Sequence, residues 1–478
     1  MSLPGLNLFA PGDSGAPTAR TPAPRTDDLK PGSEFRFEVP FGSSATIKLL
    51  DTNPFSPDGS VAPTAELFGT ELAPNKTYTF SGYKGAVYTW HGCRLESGGD
   101  FDGEPYVGEE TPLTQHANVH FALEGLRSRA GAAAARDGFG PRVAVVGPDN
   151  AGKTSLVKTL AAYAVRAGRY PVVVNLDPRQ GLLSVPGALT ATVVASTLDV
   201  EDGGWGSSPI SGPNPTPVKT PLVYHFGLPA PDDNARLYRP MVTRLALAAT
   251  SRLEVDPEVR ASGCLVDTPG VISQGKGGQY EHLSHILSEF SVNVLLVLGN
   301  ERLYNDMVKR FGQSTGDDAV AVVRLPKSEG CVDRDESYMR QLRQAQVRSY
   351  FFGSRSNPLS PHGVMADFSV VTIYKIVESS SAFSFLPGTA DADAAAGAVY
   401  EPVTPSLMLQ NCLLAVTHAD PHESEDAIRD AGVMGYVWVA AVDEAKKKLR
   451  LLMPVAGRVP NKTMLLGTWP EDVADMVG

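Results

Sequence analysis

The sequence predicts a three-part chain: a central α/β domain built on a parallel sheet, a small β domain before it, and a small, mostly β domain after it. Three observations carry this. A valine-rich run, a glycine loop and a helical pattern follow one another at residues 142–155. Short apolar runs then alternate with helical spacing through the middle of the chain, which implies strands joined by crossover helices. Period-two alternation, the mark of half-buried strands, holds from Ser33 and returns after about residue 360.

The glycine loop is the most informative stretch. It reads Arg142-Val-Ala-Val-Val-Gly147-Pro-Asp-Asn150-Ala151-Gly152-Lys153-Thr154-Ser155. A triphosphate is held by backbone N–H groups at a helix N-terminus, and glycine lets the main chain approach it closely. Lys153 sets an ammonium against the β- and γ-phosphates, and the Thr154 hydroxyl is placed to ligate Mg²⁺. The central domain therefore reads as a P-loop NTPase.

A chain of 478 residues has room for about three domains. With 42% hydrophobic and 20% charged residues it suits a globular protein with a large core. No apolar run approaches the roughly 20 residues of a membrane span, and the first residues lack the charged flank and apolar core of a secretory signal. Cys93, Cys264, Cys331 and Cys412 are scattered without paired spacing, which points away from a zinc site or a disulfide framework. A net charge of −11 argues against a protein that coats nucleic acid.

In chain order, residues 1–30 are rich in Pro, Gly, Ala and Thr and are expected to form a disordered tail. Residues 31–115 are assigned to the N-terminal β domain, with Asp51–Pro63 as a surface loop and the acidic, glycine-rich Ser97–Glu110 as a linker. Asn118–Arg136 is expected to be helical and to lead into the central domain, residues 116–358. There Thr154–Ala167 keeps helical spacing, Val172–Leu176 is a strand ending in Asp177, and Cys264–Val266 and Val292–Leu298 are further strands. An exposed insertion is expected at about 201–217, and a loop at Gly388–Ala398 within the C-terminal domain, residues 359–478.

Two carboxylates compete for the chemistry beside the loop. Asp177, after the second strand, stands where kinases of small hydroxyl substrates keep a base. Asp267, in Asp-Thr-Pro-Gly, imitates the γ-phosphate-sensing turn of GTPases. The Asn-Lys-x-Asp element that reads guanine is missing its aspartate at both Asn75-Lys76 and Asn461-Lys462, which makes a GTPase the remote alternative.

Several stretches carry a family resemblance: Ala65-Glu-Leu-Phe-Gly-Thr-Glu-Leu72, Gly147–Ser155, Asn175-Leu-Asp-Pro-Arg-Gln180, Ser184-Val-Pro-Gly187, Pro221–Gly227, Glu301–Asn305, Leu325–Ser328 and Tyr350–Gly353. In this order the chain resembles the polynucleotide 5′-hydroxyl kinase family, whose eukaryotic member is a subunit of the pre-mRNA cleavage and polyadenylation machinery. The resemblance implies ATP and Mg²⁺ as ligands, with Glu34 and Lys84 at the adenine and Asn150, Ala151, Gly152, Lys153, Thr154 and Ser155 at the phosphates. It implies Thr154 and Asp177 at the metal. In an active enzyme Lys153, Asp177 and a lid pair, Arg343 and Arg348, would carry catalysis. A scaffold subunit of the cleavage factor as partner, RNA touched weakly or through others, no membrane contact and a nuclear location follow from the same resemblance.

Two positions depart from the active kinases. Arg179 stands where they are similar in having glycine after the second strand, and Gly270-Val271 stands where they pair glycine with tryptophan. Valine offers no stacking face to an RNA end, and base–aromatic stacking contributes about 1–3 kcal/mol. The reading is therefore an ATP-binding subunit required for mRNA 3′-end processing, with ATP as a structural ligand. The alternative is a live polyribonucleotide 5′-hydroxyl kinase.

Overall fold

A computed structural model describes residues 24–132, 138–201, 221–273, 280–312, 319–354, 358–378, 398–474 and 476. The insertion expected at 201–217, beyond Glu201, and the loop expected at 388–398, before Ala398, lie outside the described residues.

The N-terminal part is a sandwich of two sheets. Its strands are β1 (Arg25–Leu29), β2 (Glu34–Val39), β3 (Ala45–Leu50), β4 (Glu66–Leu67), β5 (Thr70–Glu71), β6 (Thr77–Phe80), β7 (Tyr83–Tyr88), β8 (Cys93–Gly99) and β9 (Tyr106–Gly108). One sheet runs β1-β8-β3-β6 and the other β5-β4-β7-β2-β9. Alternate residues such as Phe35, Phe37, Ile47, Leu49 and Phe80 meet between them. Two expectations are corrected here. The tail expected to reach residue 30 gives way to β1, which pairs antiparallel with β8 from Arg25↔Ser97 to Leu29↔Cys93. The stretch expected as a linker at 97–110 belongs to the sandwich, since β9 pairs with β2 and its acidic residues bind basic partners on the first strands. Arg25 meets Glu104 at 2.7 Å and Lys30 meets Glu109 at 3.0 Å.

Helix α1 (Leu113–Ala132) leads into the central domain. That domain contains β10 (Arg142–Val146), α2 (Lys153–Arg166), β11 (Val172–Asn175), β12 (Ala188–Val193), β13 (Leu222–His225), α3 (Ala235–Val255), α4 (Pro257–Ser262), β14 (Cys264–Asp267), α5 (Tyr280–Glu289), β15 (Val294–Leu298), α6 (Glu301–Phe311), β16 (Ala321–Leu325) and α7 (Glu336–Phe352). The sheet order is β13-β12-β11-β14-β10-β15-β16. The five strands from β11 to β16 are parallel, as the alternation of strands and helices predicts, and β12 and β13 extend the sheet antiparallel. Strand side chains alternate between faces, so Val143 and Val145 pack with Leu156 and Leu160 of α2, while Ala144 and Val146 join a core with Leu237 of α3 and Leu283 of α5.

Among the described residues the C-terminal part is a seven-stranded sheet, β17 (His362–Asp367), β18 (Thr372–Ile376), β19 (Tyr400–Val403), β20 (Leu413–Thr417), β21 (Val433–Asp443), β22 (Lys448–Met453) and β23 (Thr463–Leu466), with one short α-helix, α8 (Glu425–Asp430). Its order is β17-β22-β21-β20-β23-β18-β19.

Side chains on α2 and α7 fix the flanking parts to the centre. The Glu66 carboxylate of the sandwich accepts from the Tyr163 hydroxyl and, at 3.0 Å, from Arg166 Nη1. On the other side Tyr350 Oη accepts from the Tyr436 backbone N–H at 3.0 Å, and the Trp469 indole N–H donates to the Pro178 carbonyl at 3.2 Å. The second bond braces the loop that carries Asp177.

Candidate nucleotide site

Parallel pairing brings three strand ends level. Val145 of β10 and Asn175 of β11 both stand opposite Asp267 of β14, so the phosphate loop, Asp177 and Asp267 converge at the carboxyl edge of the sheet. That edge is where open α/β sheets bind ligands.

The loop has the shape its residues predict. Gly152 lies at φ 92° and Asn150 at φ 55°, so the backbone turns through the left-handed region just before α2 begins at Lys153. The first turn of α2 has no acidic residue to compete for its free N–H groups. Lys153 is buried and its Nζ donates to the Pro148 carbonyl at 2.9 Å. Ala151 is buried, and the Gly147 N–H donates to the Ser273 hydroxyl at 3.2 Å.

Thr154 Oγ1 donates to Asp267 Oδ2 at 2.6 Å. Asp267 is 1% exposed, and its other oxygen, Oδ1, is buried without a hydrogen-bond partner among the described residues. Burial pushes its carboxyl up to about 6, opposed by the Lys153 charge and the Thr154 hydroxyl. A buried carboxylate oxygen left without a partner beside a threonine hydroxyl is a fitting donor pair for a hard divalent cation. The sequence reading put Asp177 beside Thr154. The structure bonds Thr154 to Asp267, because β14 is the immediate neighbour of β10, and leaves Asp177 on the wall of the same cavity as Thr154.

Asp177 is also buried, and burial raises its carboxyl while Lys153 and the Arg179 N–H lower it. It accepts from the Arg179 N–H at 3.0 Å and from Gln180 Nε2 at 3.1 Å. The Arg179 guanidinium reaches across to Asp149 of the loop at 3.5 Å. Asp149 in turn lies against Gly270, where a methyl group would come within 2.0 Å of Asp149 Oδ1. Val271 packs against the central core, so the position of the kinases' indole carries no ring facing the strand ends.

A cavity of about 440 Å³ runs between the sandwich, the loop and residues of the β16–α7 segment. Glu34 and Lys84 line it, and neither is a solvated strand charge. Glu34 is 2% exposed and bonds Arg36 Nε at 2.7 Å. Lys84 binds Glu38 and lies 4.9 Å from the centre of the Tyr338 ring. Sequence reasoning missed Arg334 and Tyr338. Arg334 Nε donates to Asn150 Oδ1 at 3.1 Å, and Tyr338 Oη donates to the Gly82 carbonyl at 3.3 Å, so this segment closes the cavity onto both the loop and the sandwich.

The expected lid pair is split. Residues five apart on a helix are rotated by about 140°, so Arg343 and Arg348 leave α7 on different sides. Arg343 is 2% exposed and lines the cavity, but its guanidinium is held by Glu336 at 2.6 Å and by Glu471, and covers the Trp469 ring at 4.2 Å. Arg348 is exposed, stacks over Phe352 at 5.4 Å, and is not among the residues lining the cavity. Arg343 is thus a structural ion-pair centre between α7 and the C-terminal segment.

Residues 147–353 match a family model described as the P-loop of mRNA cleavage and polyadenylation factor CLP1. Residues 359–471 match pre-mRNA cleavage complex II protein Clp1, and residues 28–130 match the N-terminal beta-sandwich domain of polyadenylation factor. The chain is 51% identical over 485 positions to mRNA cleavage and polyadenylation factor CLP1 of Phaeosphaeria nodorum, and 50% identical over 481 positions to that of Botryotinia fuckeliana, with 100% of each chain covered in both cases. A solved structure of a wild-type Clp1p–Pcf11p complex superposes with a TM-score of 0.81 at 31% identity, covering 94% of this chain and 98% of the other. A second structure, with the same values, concerns an extended interface between Pcf11p and Clp1p and ATP loss in a point mutant.

Proposed function

Because the chain belongs to the mRNA cleavage and polyadenylation factor CLP1 family, we propose that it is an ATP-binding subunit of the pre-mRNA 3′-end cleavage and polyadenylation machinery. It works in the nucleus, holds ATP as a structural ligand and docks a scaffold subunit of the Pcf11 kind. One observation carries the structural-ligand reading: the phosphate loop keeps its left-handed turn and its buried lysine, while Arg179, at the position where the resemblance gives active kinases a glycine, is paired with Asp149 of that loop.

In this reading the N–H groups of Asn150–Ser155 and the Lys153 ammonium hold the phosphates, and Glu34 and Lys84 stand at the base. Lys153 then exchanges its Pro148 carbonyl for phosphate oxygens. Thr154 and Asp267 would hold Mg²⁺, with Asp177 in the loop that follows the neighbouring strand β11. A cation there would supply charge neutralisation for the triphosphate. Arg334, Tyr338 and the sandwich keep water from the nucleotide.

A second reading, a polyribonucleotide 5′-hydroxyl kinase, keeps one observation in its favour: Asp177 is buried, oriented by Gln180 and close enough to Lys153 to feel its charge. The experiment that separates the two is to denature the purified protein, identify the released nucleotide, and in parallel offer labelled ATP with a 5′-hydroxyl RNA oligomer. Intact ATP near one per chain with unlabelled RNA supports the structural ligand. Label on the RNA that is lost in Lys153→Ala and Asp177→Ala reverses the ranking.

A further inference from the structure

Helix α1 buries a row of polar side chains, His116, His120 and Arg127, along one face. His116 stands apart from the others because it lines the nucleotide cavity. The wall beside it is a row across the sandwich sheet: Glu34 of β2 and Glu66 of β4 both stand opposite Tyr88 of β7. Tyr88 lines the cavity together with Leu113 and His116 of α1.

His116 is 7% exposed, and neither of its ring nitrogens has a hydrogen-bond partner among the described residues. Histidines buried for packing alone normally satisfy at least one nitrogen, since an unmet buried polar group is costly. Burial holds its pKa down to about 4, so near neutral pH the ring is uncharged and offers one N–H donor and one acceptor. That pair is poorly matched to phosphate, which accepts only and already has the loop and Lys153. It is well matched to a nucleobase edge, which carries both donors and acceptors.

We propose that His116 hydrogen-bonds the base of the bound nucleotide and so makes the cavity select a nucleoside triphosphate over a bare polyphosphate. This rests on the nucleotide-binding reading above and adds to it a base-reading residue on the helix that joins the sandwich to the central domain.

The test measures ATP and inorganic tripolyphosphate affinities, by calorimetry on nucleotide-stripped full chain, for the wild type and for His116→Ala, His116→Gln and His116→Phe. The expected result is a fall of about ten-fold or more in ATP affinity for His116→Ala with tripolyphosphate affinity unchanged. His116→Gln, which keeps a donor and an acceptor, should recover more of the loss than His116→Phe, which keeps only a ring. Unchanged ATP affinity in His116→Ala overturns the inference, as does an equal loss for both ligands, which would mark a structural role. Wild-type affinity in His116→Phe also overturns it, because packing alone would then suffice. A wild type that binds tripolyphosphate as tightly as ATP has no base contact to assign. A wild type that binds neither refutes the nucleotide reading itself.

Discussion

Replacing Glu66 tests how the sandwich is fixed to the nucleotide domain. Glu66 is 2% exposed, and its carboxylate serves two donors on α2, Tyr163 Oη and Arg166 Nη1. Alanine leaves the Tyr163 hydroxyl buried without its acceptor, which costs about 1–3 kcal/mol. Arg166 is 34% exposed and keeps Glu71 and the Gly69 carbonyl, so its loss adds under about 1 kcal/mol after solvent screening. The sum, about 1–4 kcal/mol, corresponds to a drop of about 4–30 °C in the unfolding of a domain of the sandwich's size. Glutamine keeps the acceptor for Tyr163 and should cost much less. The pH dependence has a definite sign. Burial raises Glu66 above its ordinary 4.5 in spite of the tyrosine and arginine, so the folded state holds the proton more tightly than the unfolded one. The contribution of Glu66 to stability is then full below 4.5 and declines as pH rises through the raised value. Relative to wild type, Glu66→Gln should therefore gain as pH rises from 4.5 toward neutrality. Thermal unfolding of both variants from pH 4 to 8 checks this. If Glu66→Gln loses as much as Glu66→Ala at neutral pH, the charge and not the acceptor holds the latch, and the reasoning fails.

Two further substitutions address the site. Asp267→Asn should weaken Mg²⁺-dependent ATP binding by about 10–100-fold, the usual scale for disturbing a metal's immediate surroundings, while leaving Mg²⁺-free binding nearly unchanged. Calorimetry with and without Mg²⁺ reads this, and an equal loss in both conditions would place Asp267 outside the metal site. Arg179→Gly should leave the ATP content of the purified protein at the wild-type level, because the contact of its guanidinium with the loop among the described residues is to the Asp149 side chain and not to the backbone that cradles phosphate. Loss of nucleotide from that variant would make Arg179 part of the cradle and remove it as a barrier on the acceptor side.

The central sheet and the phosphate loop were legible because their signals are contiguous: a strand, a turn and a helix within fifteen residues leave little to tertiary context. The antiparallel pair β12 and β13 was not. Their buried faces carry Thr190 and His225, which interrupt the apolar runs that announced the other strands. The partnership of Thr154 with Asp267 was hidden for a different reason. It depends on sheet order, in which the strand after α2 lies two places from β10 and a strand about a hundred residues later slips between them. The surroundings of Arg343 were hidden in a similar way. The resemblance implied a lid arginine, but Trp469 and Glu471, more than a hundred residues later in the sequence, cover its guanidinium. His116 left no signal in the sequence, since a histidine in an alanine-containing helix has no period or motif to mark it.

The placement of these contacts determines what nucleotide loss should do. The cavity is walled by the sandwich through Glu34 and Lys84, by the loop, and by the segment bearing Arg334 and Tyr338, so a ligand there joins the sandwich to the centre. The C-terminal sheet is joined by protein alone, through Tyr350 with Tyr436, Trp469 with the Pro178 carbonyl and Arg343 with Glu471. A ligand stabilises only what it contacts, by RT ln(1 + [L]/Kd), which reaches about 4 kcal/mol at a thousand-fold excess over Kd. Stripping ATP should therefore increase hydrogen exchange along the sandwich wall, the loop and residues 326–342, while β20 to β23 keep their protection. Uniform deprotection of all three parts would mean that the nucleotide holds the whole chain together, and that the side-chain contacts of the C-terminal sheet are too weak to act without it.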